Sequence, residues 1–305
     1  MTYRLLSYRS TDGWPRAGIL VGDRVFDVAE LTGRKQYQSM LAILNDWTDA
    51  EAIIDRAAKS ASGGQPLSTI SLLAPLAAPG AIYCAGANFT DHMEEMAKVM
   101  NMAPEPDPHE RGLKPWHFVK PARGSIRGPG ETITMPAYSS MIDWEIELAA
   151  VIGKPAKDVS EADALDYVAG YTIANDLSAR DFVKREGVPD SSPFKWDWVS
   201  QKCFDGACPL GPWITPASQF PHPQKVAMKL WVGDELMQDS HTSKMIFTLA
   251  EQLSHLSSRI TLFPGDLILT GTCAGVGMAR KRFLKAGETV RLWIEGIGEM
   301  SHRMA

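Results

Sequence analysis

Asp143-Trp144-Glu145-Ile146-Glu147-Leu148-Ala149-Ala150-Val151-Ile152 opens by alternating acidic with apolar side chains. That period of two is the mark of a β-strand. Two residues apart on a strand, Glu145 and Glu147 share one face, with Cα atoms roughly 6–7 Å apart. Their neighbours on the other face are apolar, so that face is expected to be buried. Two adjacent carboxylates repel unless a cation or a proton intervenes. A hard divalent ion, Mg²⁺, Mn²⁺ or Ca²⁺, is the natural counter-charge because it takes carboxylate oxygens and keeps waters. An edge strand with its acidic face in water accounts for the alternation equally well.

A third carboxylate lies downstream. Tyr171-Thr172-Ile173-Ala174-Asn175-Asp176 reads as another short strand, running into Leu177-Ser178-Ala179-Arg180-Asp181. Before it, Ser160-Glu161-Ala162-Asp163 fits a capping box opening a short helix through Tyr167, with Gly170 closing the connection. Asn-Asp alone is an ordinary turn signal. Together with Glu-x-Glu on a nearby strand, Asp176 completes a set of three possible ligands for one ion. His92 stands three residues before Glu95, so on a helix the carboxylate can orient the imidazole as a base toward water. A His beside a Glu is more commonly a surface pair.

These pieces occur in the order Ala87-Asn88-Phe89-Thr90-Asp91-His92-Met93-Glu94-Glu95, Phe118-Val119-Lys120-Pro121, the Glu145–Glu147 strand and Asn175–Asp181. Lys202-Cys203-Phe204-Asp205, Pro209-Leu210-Gly211-Pro212 and Pro264–Thr272 follow. In that order they resemble the fumarylacetoacetate hydrolase superfamily over roughly residues 75 to 305. The resemblance implies a mixed β fold with some α: a β-sandwich or β-roll catalytic domain behind a small N-terminal α+β domain. It implies Mg²⁺ or Mn²⁺ on Glu145, Glu147 and Asp176, and a water-activating pair in His92 and Glu95. Lys202 and Arg180 would face the metal, with Lys202 taking part in catalysis. Lys120 would sit at the pocket rim, and Gly271 and Thr272 would line the substrate pocket.

The expected reaction is hydrolysis of the C–C bond of a 2,4-dioxo acid, an acylpyruvate such as fumarylpyruvate or maleylpyruvate. Isomerisation or decarboxylation of a 2-oxo-dienoate, and dehydration of a 3-deoxy sugar acid, are its relatives within the superfamily. A non-catalytic metal-binding module is the reading from a different class. Val183 stands where fumarylacetoacetate-cleaving members carry glutamine, Phe89 where tyrosine is common, and the chain is shorter. Fumarylacetoacetate is therefore not the expected substrate.

The rest of the chain sets limits. Its 305 residues, 45% hydrophobic and 22% charged, suit a folded protein with a large core. A net charge of −5 with no basic block argues against nucleic acid. The absence of a long apolar run or signal-type opening leads to the expectation of a cytoplasmic protein without membrane contact, and the resemblance, with many apolar strands and few helices to cover them, implies a homodimer. Cys84, Cys203, Cys208 and Cys273 are too scattered for a C-x-x-C pair and read as free thiols.

Residues 1–72 are expected to form the accessory domain and 73–305 the catalytic one. The first includes a hairpin turning at Val21–Arg24 and a helical stretch 37–59 striped by Leu41, Leu44, Trp47, Ile53 and Ile54. Thr242–Ser257 has helical spacing. Gly271–Gly277 is glycine-rich but lacks the ending of a phosphate loop. Residues 97–116, rich in Met and Pro, read as a lid or as a disordered loop. The aromatic cluster Phe194–Trp198 fits core, interface or pocket wall alike.

Overall fold

The computed structural model describes residues 2–305. Its spine is a twelve-stranded mixed sheet, and the strand carrying Glu147 lies near the middle of it. Ile146–Ile152 pairs antiparallel with Val168–Asn175 on one side and with Leu267–Leu269 on the other. All seven of its residues are buried. The edge-strand reading is therefore excluded: a strand with a neighbour on both sides and cover on both faces has no watery acidic side.

Alternation sorts that strand between two cores. Ile146, Leu148, Ala150 and Ile152 pack with Met228, Leu230, Leu292 and Ile294 of a second, five-stranded sheet. Ala149 and Val151 face the opposite way, toward Trp47, Ile54 and Tyr37. The architecture is sheet on sheet, with a helical layer on the outer face of the larger sheet.

The N-terminal segment supplies that layer and joins the same sheet. Arg4–Arg9 pairs with Cys208–Pro216 and with Ser71–Leu73; its Leu5 shares a core with Leu267 and Leu269, while Leu6 and Tyr8 form a smaller cluster with Leu20 and Val25. The hairpin forms between Pro15–Val21 and Arg24–Asp27, and its turn places Gly22 at φ 61°. The stretch 37–59 is broken, with helices at Met40–Asn45 and Trp47–Lys59. Its inner face is Ile43, Leu44, Trp47, Ala50, Ile54 and Ala58, while Leu41 is exposed. The break at Asp46 resets the helical phase, which displaces Leu41 from the stripe.

Two further helix expectations shift for local reasons. The helix expected from Thr242 starts later, at Leu249, where Thr248 and Glu251 form a reciprocal capping box. The Ser160–Asp163 cap leads only into a 3₁₀ turn, Ala164–Tyr167. All four cysteines are free, and no helix among the described residues is long and apolar enough to cross a membrane.

Candidate metal centre and active site

The strand pairing gathers the three carboxylates. Ile146 lies opposite Asn175 and Glu147 opposite Ala174, which brings Asp176 across from Glu145, and the Asp176 N–H donates to Glu145 O at 2.9 Å. Side chains then replace the ladder at the strand's start. Glu145 N–H donates to Asn175 Oδ1 at 2.9 Å and Ile146 N–H to Gln238 Oε1 at 3.0 Å. The result is a buried group in which one oxygen each of Glu145, Glu147 and Asp176 lies within 4.8 Å of the others.

Three cations surround it, each delivered by its own element. Lys202 ends the short helix Trp198–Lys202 and bridges Glu145 Oε2 at 3.0 Å and Asp176 Oδ2 at 2.6 Å. That leaves the ammonium one N–H for a ligand. Arg180 donates Nε to Asp143 at 2.8 Å and Nη2 to Glu145. Lys120 ends strand His117–Lys120 and is not at the rim as expected. Its side chain is fully buried, 2.7 Å from Asp176 Oδ1, and its protons go to the carbonyls of Leu177, Lys202 and Ala207. Lys120 therefore neutralises Asp176 from beneath the site. Lys120→Met should cost about 3–5 kcal/mol by stranding that carboxylate, read by denaturant unfolding; an unchanged midpoint would contradict the pairing.

The electrostatics call for one more positive ion. With Asp143 the group holds four carboxylates against three cationic side chains. Burial opposes ionisation of Glu145, but Lys202 and Arg180 outweigh it and hold the carboxyl down at about 2. Glu147 has no such partner. Burial first, then Asp176 and Glu145, push its carboxyl well above the usual range. Asp176 Oδ1 is buried with no hydrogen donor despite its ion pair, because the Lys120 protons point at carbonyls. An all-oxygen set with a lone pair to spare and a carboxylate reluctant to ionise alone fits a hard divalent cation. Such an ion, taking the place of the proton on Glu147, would leave the group with a net charge of +1, which suits an anionic substrate.

Glu145 and Glu147 open onto a cavity of about 220 Å³ whose wall includes His92, Arg180, Lys202, Thr272 and Val183. His92 lies on helix Thr90–Val99, whose root is fixed where Asp91 accepts from Ser240 Oγ at 2.6 Å and Lys244 Nζ at 3.1 Å. The expected bond from His92 to Glu95 is not formed. Glu95 Oε2 instead accepts from Gly275 N–H at 2.8 Å, and His92 Nδ1 is buried without a partner. Burial lowers the imidazole pKa, so the ring stands as a neutral base.

The glycine-rich loop also differs from expectation. Gly271 N–H donates to Glu147 Oε2 at 2.6 Å, and Gly277 N–H to Asp143 Oδ1 at 2.6 Å. Its amides are spent on the protein's own acids, so Gly271 supports a metal ligand and offers no free amide to a substrate. Thr272 does line the cavity, its hydroxyl donating to Ile146 O at 2.8 Å.

Several residues that sequence reading passed over matter here. Asp143 ties Arg180 to the glycine loop, and Gln238 ties the ligand strand to Thr272 and Cys273. Asn175 is held by His302. The fold of such buried amides shows only once strands are paired, so no sequence signal singled them out. The Phe194–Trp198 cluster is exposed rather than core, but its last member reaches the cavity: Trp198 stacks on Phe118 and meets Trp116 edge-on, ring centroids 5.7 and 5.6 Å apart. Trp116 lies directly on Gly86, where a Cβ would come within 2.1 Å of the indole. Gly86→Ala should swing the indole away and raise KM about tenfold at similar kcat; an unaltered KM would show that Trp116 does not shape the cavity.

Against known proteins, residues 81–305 match the model of the fumarylacetoacetate (FAA) hydrolase C-terminal domain. A mitochondrial oxaloacetate tautomerase of Xenopus laevis is 42% identical over 238 residues, 77% of this chain and 68% of the relative. A maleylpyruvate hydrolase from Sphingobium sp. SYK-6, solved with manganese(II) and pyruvate, superposes at TM-score 0.75 with 28% identity over 99% of this chain and 98% of that one. A 5-carboxymethyl-2-hydroxymuconate delta-isomerase from Mycobacterium smegmatis superposes at 0.72 with 31% identity, again over 99% and 98%. The buried acidic triad, the mixed-sheet fold and these matches agree that the chain belongs to the fumarylacetoacetate hydrolase family of enzymes.

Proposed function

We propose that this protein is a divalent-metal-dependent hydrolase that cleaves the C3–C4 bond of an acylpyruvate, releasing pyruvate and a carboxylic acid. The carrying observation is an imidazole with an unpartnered Nδ1 on the wall of the same small cavity that Glu145 and Glu147 of the acidic triad line. A cation on Glu145, Glu147 and Asp176 would supply Lewis-acid polarisation of the 2-oxo group. The protein's own groups do the rest. Lys202, with its spare N–H, holds the substrate's anionic head, and Arg180 keeps Glu145 ionised and in place. His92 takes a proton from water as the new C–O bond forms at C4. When C3–C4 breaks, its electron pair passes to C3, which ends as the methyl group of pyruvate once protonated. Glu95, one turn along the helix, orients His92 by exchanging its Gly275 contact for the imidazole.

A second reading has its own support, since the Xenopus laevis relative is named an oxaloacetate tautomerase. Moving a proton between C3 and the enol oxygen needs a base in the same place but no attacking water. A panel of acetylpyruvate, fumarylpyruvate, maleylpyruvate and oxaloacetate, with and without Mg²⁺, separates the two. Metal-dependent pyruvate release from an acylpyruvate supports hydrolysis. Ketonisation of oxaloacetate with no C–C cleavage supports the tautomerase.

The pH profile follows from His92. The base works only when neutral, and burial lowers its pKa. The acid limb of kcat/KM should therefore lie below the value of about 6.5 for free imidazole. A limb above pH 7 would point to another base.

A further inference from the structure

Beside the acidic cavity lies a larger one, about 670 Å³, under the segment 104–116. The two share a wall made by Gly86, Ala87 and Trp116. That wall is firmly built. Ala87 sits at φ 52°, and the next residue, Asn88, is clamped by bonds of 2.9 and 2.8 Å to the backbone of Phe247 and 2.8 Å to Thr270 O. The larger chamber thus adjoins the site across a fixed wall, and it holds far more than a four-carbon acid fills.

Its lining gives the chemistry of the occupant. Met93, Leu113, Trp116, Met245, Ile246 and Phe247 present apolar surface. The charged groups there are largely spent on one another. Arg111 pairs with Glu105 at 3.3 Å, and His109 bridges Asp107 at 3.0 Å and Glu251 at 2.8 Å. Among the described residues of the lining this leaves Lys114 and Glu94, one charge of each sign and no cationic surplus for a second carboxylate.

We infer that this chamber receives the acyl arm of the substrate and selects an uncharged, apolar arm, aryl or bulky alkyl, over the carboxylate-bearing arms of fumaryl- and maleylpyruvate. The inference rests on the acylpyruvate reading above. An acylpyruvate has two halves of this kind: a compact, anionic 2-oxo head and an arm beyond C4. The head fits the small polar cavity, and Trp116, which lines both cavities, is where the arm would cross.

Oxamates test it without turnover, because they carry the carboxylate and 2-oxo head with an inert amide at the position of C3. Calorimetry on the Mg²⁺-loaded protein should show N-benzyloxamate binding about tenfold or more tighter than N-oxalylglycine, from apolar area removed from water. Leu113→Asp, at a position 46% exposed and so tolerant of change, should bring that ratio to near one. Equal or tighter binding of N-oxalylglycine overturns the inference, as does a preference indifferent to Leu113→Asp. Binding by no oxamate overturns it together with the proposed function. An intact preference with no hydrolysis of any acylpyruvate supports the chamber's role and overturns the hydrolase reading alone.

Discussion

Glu147→Gln lowers turnover of the enzyme's 2-oxo acid by about 10³-fold, roughly 4 kcal/mol of transition-state stabilisation, while the metal-free fold becomes more stable. The two effects have one cause. Glu147 is buried beside Asp176 and Glu145, and its carboxyl is pushed well above the usual range. A group whose folded pKa is raised adds stability at low pH and loses it as pH rises through that folded pKa. EDTA-treated wild type should accordingly melt at lower temperature as pH rises past the ordinary glutamate range, and the Gln variant should not. Gln keeps an oxygen for the Gly271 N–H, so the loop stays in place. Adding Mg²⁺ or Mn²⁺ should raise the melting temperature of wild type more at higher pH, as the ion takes over from the proton. Calorimetric melting at several pH values checks this. A Gln variant that melts lower than wild type in EDTA, or works as well in Mg²⁺, contradicts it.

His92→Ala abolishes acylpyruvate hydrolysis, a loss of about 10²–10⁴-fold, with metal affinity preserved because the imidazole is no ligand of the triad. Decarboxylation of oxaloacetate, which needs no attacking water, should survive. Glu95→Gln is the finer probe. It keeps an acceptor for Gly275 N–H but removes the negative charge. If Glu95 acts through His92, the acid limb of the rate profile moves to lower pH. Hydrolysis unimpaired in His92→Ala rules out the base.

What the sequence revealed and what it hid divide along physical lines. Glu145 and Glu147 were legible because strand alternation is local, and Asp176 because a short strand ends beside it. Gly22 has positive φ, which is why the turn at Val21–Arg24 could be read as a turn. Register is not local. That Lys120 lies under the site, that Gly271 serves Glu147, and that Glu95 rests on Gly275 depend on strands brought together from distant parts of the chain. Period-two patterning likewise could not tell an edge strand from the covered strand Ile146–Ile152, because its cover comes from the N-terminal helices and a second sheet. The join of Arg4–Arg9 to Cys208–Pro216 was hidden for the same reason.

The central claim is that Glu145, Glu147 and Asp176 together hold one catalytic divalent ion. Titration of metal-stripped protein with Mn²⁺, followed by electron paramagnetic resonance, tests it most directly. One Mn²⁺ per chain should bind tightly and restore turnover in proportion to occupancy, and the site should be lost in Asp176→Asn. Full turnover in the stripped protein, or an unchanged Mn²⁺ site in Asp176→Asn, would contradict it.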